Sequence, residues 1–421
     1  MHEFKIMMTL SMMVFFILID IYTWQAFKIL FNNKSAQFIK RSKRFYFGAT
    51  LFFAILFLMQ LWIPYFESNK LFKVYTGAFV FVIYLSKFLV VIFLLVEDIQ
   101  RLIRWVIKKI TSTLTTNSAV ESDNKISRAK FISQAGTITA AVPLVMLSKG
   151  IFKGAYDYKV INVPLYLPNL PSAFNGLKLV QVSDIHSGSF FDKDAVKRGI
   201  DMIRDVKADL IFFTGDLVNS RTDEAYDYAD IFSTIKAPMG VFSTFGNHDY
   251  GDYTSWPTPQ AKEKNLADLV QVHKDLGWHL MRNENVTLEK DMQRIGIIGV
   301  ENWGDRGRFQ KFGDIDKAKS GLPDVPVKLL LSHDPSHFDS VISKSHHDID
   351  ATFAGHTHGF QFGIEIGKFK WSPSQYIYPH WAGLYREGTQ QLYVNRGFGF
   401  IGYPGRVGIL PEITVFELKN S

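Results

Sequence analysis

The chain has 421 residues, 47% of them hydrophobic, with 12 His and no Cys. It is too long for one small domain, and the lack of Cys excludes disulfides, thiolate metal sites and a Cys nucleophile. The net charge of +7 is uneven: residues 1–159 carry 20 Lys/Arg against 8 Asp/Glu, and residues 160–421 carry 27 against 32. The basic excess clusters between long apolar runs, as in the cytoplasmic loops of membrane proteins, which argues against a nucleic-acid arm.

Three runs near the start are long enough to cross a bilayer at roughly 20 residues per span: Ile6 to Phe31, Phe45 to Ile63 stopped by Pro64, and Val74 to Val96. A fourth, Phe131 to Leu147, is shorter and contains Gln134, several Thr and Pro143, so it reads as a span or an interfacial segment. The first loop holds Lys34, Lys40, Arg41, Lys43 and Arg44, the second only Lys70 and Lys73, and the third seven basic residues from Arg101 to Lys130. By the positive-inside rule the first and third loops are cytoplasmic, and a fourth crossing places everything after Lys149 outside. Asp20 and Lys87 stand inside apolar runs, where ionisable groups are costly; packing against a neighbouring helix or snorkelling accounts for them without a transport role. The polar stretch Asn117 to Lys125 reads as a linker.

After Val160 the pattern changes to short apolar strands: Leu177 to Val182, Leu210 to Phe213, Val241 to Thr244, Ile295 to Val300, Lys328 to Leu331 and Ala351 to Phe353. Amphipathic stretches such as Lys193 to Val206 separate some of them, giving a layered α/β domain. The expected organisation is a transmembrane helical region over 1–115 with three spans, a linker with a fourth span at 131–147 within 116–158, and a catalytic domain over 159–421.

The chemistry gathers at strand ends: Asp184-Ile185-His186, Gly215-Asp216, Gly246-Asn247-His248-Asp249, His333, and Gly355-His356-Thr357-His358. Each block is weak alone, since a strand-ending Gly-Asp is more often a turn. Together they supply imidazole, carboxylate and amide oxygen suited to a pair of hard or borderline divalent ions. Two such ions roughly 4 Å apart clamp phosphoryl oxygens and acidify a bridging water, and His248 has the pKa range to protonate a leaving oxygen. His273, His279, His337, His346 and His347 lack ligand spacing and read as surface or packing residues; His380 is less clear.

In this order the blocks D-x-H, G-D, G-N-H-[DE], H and G-H-x-H resemble the signature of the calcineurin-like metallophosphoesterases, over roughly Lys159 to Leu418. The resemblance implies a layered αββα sandwich, here preceded by an all-α transmembrane region. It also implies one metal held by Asp184, His186, Asp216 and His358, and a second by Asp216, Asn247, His333 and His356, with Asp216 bridging. Such His-rich sites accept Mn, Fe, Zn or mixed pairs, and the sequence does not fix which. The reaction expected is one-step hydrolysis of a phosphoester or pyrophosphate by a metal-bridging hydroxide, with His248 as the catalytic residue.

Two departures stand out. Asn219 occupies a position where many protein phosphatases of the family carry an Asp that pairs with the catalytic His, so another carboxylate, such as Asp249, is a candidate for that role. Small bacterial membrane relatives tend to have Gly-Gly-Gln after the last His, but this chain has Gly359-Phe360-Gln361, which narrows or greases the site mouth. The closing segment, Asn395 to Gly399 through Arg406 to Ile413, resembles the YkuE-like membrane-anchored bacterial branch.

The resemblance places the protein in the cytoplasmic membrane of a bacterium. The partners expected are membrane lipid and a phosphorylated small-molecule or lipid-linked substrate, with no nucleic acid. Within that wider group, cleavage of UDP-2,3-diacylglucosamine in lipid A synthesis is the specific candidate. Arg396 or Arg406 then binds a second phosphate or forms a structural ion pair. The segment containing Trp371, Tyr376, Tyr378, Trp381 and Tyr385 suits a lipid or sugar ring, or packs over the sheet. The reading from another class is a transporter or sensor with an accessory phosphoesterase domain. Ser127-Arg128-Ala129-Lys130-Phe131-Ile132 resembles a degenerate twin-arginine export signal, or is simply the basic flank of a span.

Overall fold

The computed structural model describes residues 2–111, 128–307, 309–367 and 369–420. The linker expected at Asn117 to Lys125 lies outside them. The chain divides into two compact units, Met1–Lys149 and Gly150–Ser421.

The first unit is helical: α1 (His2–Leu30), α2 (Ala36–Trp62), a short helical turn at Pro64–Ser68, α3 (Lys70–Thr111) and α4 (Arg128–Phe152). Among the described residues four segments are long and apolar enough to span a bilayer: Ile6–Leu30, Ala36–Trp62, Lys70–Ile110 and Phe131–Phe152. The Ser35 side chain caps α2 by accepting from Phe38 N, and the peptide before Pro64 leaves the helix because proline disfavours a helical residue in front of it. α3 continues well past the apolar run read from the sequence, and α4 stays helical through Pro143. Asp20 and Lys87 are paired: Lys87 Nζ lies 2.5 Å from Asp20 Oδ1, and Tyr84 and Tyr46 hydroxyls donate to the same carboxylate at 2.8 and 2.9 Å. In a bilayer an isolated charge is costly, so this cluster cross-links α1, α2 and α3 while satisfying both ions.

The second unit holds two six-stranded sheets. Their strands are β1 (Lys159–Tyr166), β2 (Lys178–Val182), β3 (Leu210–Phe213), β4 (Val241–Ser243), β5 (His279–Leu280), β6 (Glu284–Lys290), β7 (Gln293–Gly299), β8 (Lys328–Leu331) and β9 (Ala351–Ala354). A small hairpin, β10 (Ile364–Ile366) and β11 (Phe369–Trp371), precedes β12 (Gly383–Glu387), β13 (Gln390–Val394) and β14 (Glu412–Lys419). One sheet runs β1-β14-β2-β3-β4-β5 and the other β12-β13-β9-β8-β7-β6.

Period-2 alternation distributes the apolar side chains between two layers. Leu210 and Phe212 of β3 join Leu329 and Leu331 of β8 and Phe353 of β9 in the core between the sheets. Ile211 and Phe213 turn the other way, onto Val196, Ile200 and Ile203 of the helix α5 (Lys193–Asp205). Asp192 caps that helix by accepting from Ala195 N. Leu330 of β8 packs outward with Phe338 and Ile342. This is the expected αββα layering, and the central parallel strands place the loops after β2, β3, β4, β8 and β9 at one edge.

Candidate metal centre

Each motif residue follows directly from a buried strand. Asp184 and His186 follow β2, Asp216 follows β3, Asn247 and His248 follow β4, His333 follows β8, and His356 and His358 follow β9. Five of these non-glycine residues have left-handed backbone: Asp184 (φ 51°), His186 (φ 49°), Asp216 (φ 61°), His356 (φ 70°) and His358 (φ 49°). That conformation costs on the order of 1–3 kcal/mol per residue and gathers at sites where side chains must be aimed. Two glycines make the approach possible: a Cβ on Gly246 meets Asp216 Oδ1 at 2.2 Å, and one on Gly355 meets Asp184 Oδ2 at 2.2 Å.

The aimed atoms converge in two groups. Donor atoms of Asp184, His186 and His358 lie within 4.8 Å of one another, as do those of Asp216, His333 and His356. His186 Nε2 is 3.0 Å from His358 Nε2, and His358 Nε2 is 3.3 Å from Asp184 Oδ1. Asp216 Oδ2 lies between the groups, 3.1 Å from His333 Nε2 and 3.5 Å from His186 Nε2. Asn247 directs its oxygen inward, 2.7 Å from His356 Nδ1 and 3.2 Å from His333 Nε2, while its NH₂ donates to Tyr253 OH at 2.8 Å. Imidazole nitrogens, carboxylates and an amide oxygen packed this closely fit divalent cations.

Groups behind the donors fix their orientation. His333 Nδ1 is held by Thr214 O at 2.6 Å, and His356 Nε2 by Tyr378 OH at 2.8 Å. Such contacts set which ring nitrogen faces an ion. Burial alone raises the Asp216 carboxyl, but its imidazole neighbours, His333 at 3.1 Å first among them, outweigh it and hold the group well below the ordinary carboxylate range. Burial lowers the pKa of His186, His356 and His358, which favours the neutral form that ligates metal.

His248 sits beside this cluster, its ring 4.9 Å from that of His186 and stacked on Tyr253 at 4.2 Å. Its backbone N donates to Asp216 Oδ1 at 2.8 Å. Asp249 does not serve as its carboxylate partner. It is fully buried, accepts from the amides of Gly246, Asp216, Leu217 and Val218, and ties the loops after β3 and β4 together. Burial and the neighbouring Asp216 charge push its carboxyl up to about 7.

Neither arginine marked in the sequence faces the site as a free cation. Arg396 is paired with Glu412 at 2.5 Å and Glu365 at 2.6 Å. Arg406 is buried and spends its donors on the carbonyls of Gly399 and Arg396, with one Nη 3.1 Å from His358 Nδ1. Arg306, which no motif flagged, instead lines the cavity of about 570 Å³ over the cluster, together with Phe309, Tyr378 and Phe360. Tyr378 and Trp381 of the aromatic segment are buried, whereas Tyr376 is exposed. His380 pairs with Asp339 at 2.6 Å, and His273 and His337 are buried in the core.

Comparison with known proteins completes the description. A family described as calcineurin-like phosphoesterase matches residues 177–360, and one described as probable calcineurin-like phosphoesterase, transmembrane domain, matches residues 5–155. The uncharacterized metallophosphoesterase YkuE of Bacillus subtilis is 31% identical over 256 residues, covering 60% of this chain and 82% of that protein. The chain belongs to the calcineurin-like metallophosphoesterase family. As a member it is a metal-dependent hydrolase associated with membranes. A zebrafish (Danio rerio) transmembrane protein with metallophosphoesterase domain is 28% identical, the match covering 66% of this chain and 62% of that protein. UDP-2,3-diacylglucosamine pyrophosphatase LpxG of Chlamydia trachomatis is 27% identical, with 55% of this chain and 81% of that protein matched.

Proposed function

We propose that the second unit is a two-metal phosphoesterase acting on a phosphoester or pyrophosphate bond of a lipid-linked or cell-envelope substrate. Asp184, His186, Asp216 and His358 hold one ion, and Asp216, Asn247, His333 and His356 the other. The observation that carries this reading is the position of Asp216 Oδ2 between the two donor groups, in reach of both His186 and His333. When bound, a pair of divalent ions supplies positive charge for phosphoryl oxygens and acidifies water. The chain itself contributes the rest. His248, with Nδ1 engaged by a carbonyl, lines the cavity and protonates the leaving oxygen.

The rim of the cavity supports an amphiphilic substrate. Phe360 lies in the cavity wall and is half exposed, and Ile366, Phe369 and Tyr376 nearby in sequence are exposed at 73%, 60% and 76%. Apolar exposure on that scale suits contact with acyl chains. Similarity to LpxG supports a second reading, cleavage of the UDP-2,3-diacylglucosamine pyrophosphate. We place the chain in the cytoplasmic membrane with this unit outside: the basic first and third loops stay inside, and a fourth crossing at 131–147 carries the chain out. A cytoplasmic nucleotide-lipid would be out of reach there, so orientation separates the two readings.

Purified protein, stripped with chelator and resupplied with Mn²⁺, is expected to hydrolyse bis(p-nitrophenyl) phosphate only in the metal-loaded form. Equal rates with and without metal, or none in either, would sink the phosphoesterase reading. In spheroplasts, added protease is expected to remove the chain after Lys149; cleavage only after permeabilisation would place the unit inside and favour the UDP-lipid.

A further inference from the structure

From the wall of the active-site cavity we infer that Arg306 binds a second phosphoryl group of the substrate, so that the preferred substrate is a diphosphate and not a single-phosphoryl ester. The inference rests on the phosphoesterase reading and narrows it to a substrate class.

Among the described residues lining the cavity, Arg306 is the one Lys or Arg. Among the described residues it forms no ion pair with a carboxylate, and its Nε is buried without a hydrogen-bond partner. The surrounding turn is well anchored. Asp305 N donates to Ser336 Oγ at 2.8 Å, and the Asp305 carboxylate takes Lys311 at 2.7 Å and Ser340 at 2.9 Å. Gly304 permits close packing, since a Cβ there would meet Asp334 Oδ2 at 2.6 Å, and Gly307 turns the chain with φ 79°. Asp305 is therefore occupied on the protein side, while its neighbour's guanidinium is left to the cavity.

The guanidinium also belongs to the metal centre's surroundings. It shares the cavity wall with Tyr378, whose hydroxyl touches His356, and Phe309 of the same loop packs edge-on to the His356 ring at 4.8 Å. A partly buried N–H without a partner carries a desolvation cost that a bound anion removes. A phosphoryl group fits because its oxygens match the planar fork of Arg with two parallel hydrogen bonds. The attacked phosphoryl would have the divalent ions that the donor cluster would hold, and His248, around it. The cavity has room for more than that one group. A second phosphoryl, joined to the first through oxygen, falls to Arg306.

The test compares UDP-glucose, a diphosphate diester, with bis(p-nitrophenyl) phosphate, which has one phosphoryl group, on the full-length protein in detergent. Wild-type hydrolysis of the aryl diester should be inhibited competitively by UDP-glucose. Arg306→Ala should weaken that inhibition ~30-fold, the loss of one charge-assisted contact. Arg306→Lys should restore part of it, because the charge returns without the fork. The loss of kcat/KM on the aryl diester should be at least ~10-fold smaller than the loss for UDP-glucose, with metal content unchanged. Equal losses on both compounds would mean that Arg306 serves the attacked phosphoryl or the fold, and would overturn the inference. So would wild-type protein that cleaves the aryl diester but ignores UDP-glucose, an outcome that leaves the phosphoesterase reading standing. Failure of the wild type on the aryl diester with Mn²⁺ would strike that reading first.

Discussion

The Nδ1 atom of His248 lies 2.8 Å from the backbone carbonyl oxygen of Asn219. At the position where many protein phosphatases of the family carry an aspartate, this chain uses its main chain to orient the histidine. The Asn219 side chain is engaged elsewhere, its amide donating to Ser189 Oγ at 3.0 Å. Asn219→Ala should therefore change turnover on an aryl diester by less than ~3-fold, at a stability cost of about 1 kcal/mol for the lost hydrogen bond. His248→Ala should lower kcat by roughly 10²- to 10⁴-fold with both ions retained. Steady-state kinetics with elemental analysis would check both; loss of one metal equivalent in His248→Ala would show that this residue is a ligand.

Phe360 has φ 54° and ψ 13°, a left-handed conformation that a bulky side chain adopts at a cost. Glycine, common at this position in small bacterial membrane relatives, carries no such penalty. Phe360→Gly should raise stability by about 1 kcal/mol from relieved strain, minus what the half-exposed ring contributes by packing. It should also raise KM for an amphiphilic substrate more than for a water-soluble one. A thermal melt and paired kinetics would read the two effects, and a large drop in melting temperature would contradict the strain argument.

Burial holds His273 neutral, with its pKa lowered to about 3, and His337 likewise to about 3. Both values lie below the ordinary 6.5. The unfolded chain therefore binds more protons than the folded one between pH 6.5 and 3, and stability falls as pH drops through that window. Each group contributes a slope of up to about 1.4 kcal/mol per pH unit. His273→Gln should be less stable than wild type at pH 7, because Ser243 Oγ loses its 2.9 Å partner, yet should lose less stability between pH 6.5 and 5. Denaturation midpoints of the metal-saturated protein at several pH values would test this; parallel curves would argue that His273 is not the acid-sensitive group.

The fold and the site differ in how far their residues announce them. Leu210 to Phe213 is legible as a strand because all four residues are buried, alternating between the two faces of a central strand. β1 is harder to see: it is an edge strand with only Leu165 buried, and it pairs with β14 at the far end of the chain, so its pattern is mostly that of an exposed surface. The candidate ligands were readable because each stands at the end of an apolar run beside a glycine or its motif partner. Arg306 was not, since it sits in an irregular loop well beyond the end of β7 with no motif around it, and its significance lies in an Nε left without a hydrogen-bond partner among the described residues. Arg396 and Arg406, read from the sequence as phosphate-binding or structural, take the structural alternative. Their neighbourhood in sequence suggested the site, whereas Glu412, Glu365 and the carbonyls of the closing segment take up their donors.

The most direct test of the two-metal account is the metal content and turnover of Asp216→Asn, measured on the same preparation as wild type. The substitution keeps the shape of the side chain but removes the charge that lies within 3.1 Å of His333 and 3.5 Å of His186. The account expects wild-type protein to bind two divalent ions per chain, and the variant to bind fewer and to lose several orders of magnitude in turnover. Near-normal turnover with full metal occupancy in Asp216→Asn would contradict it.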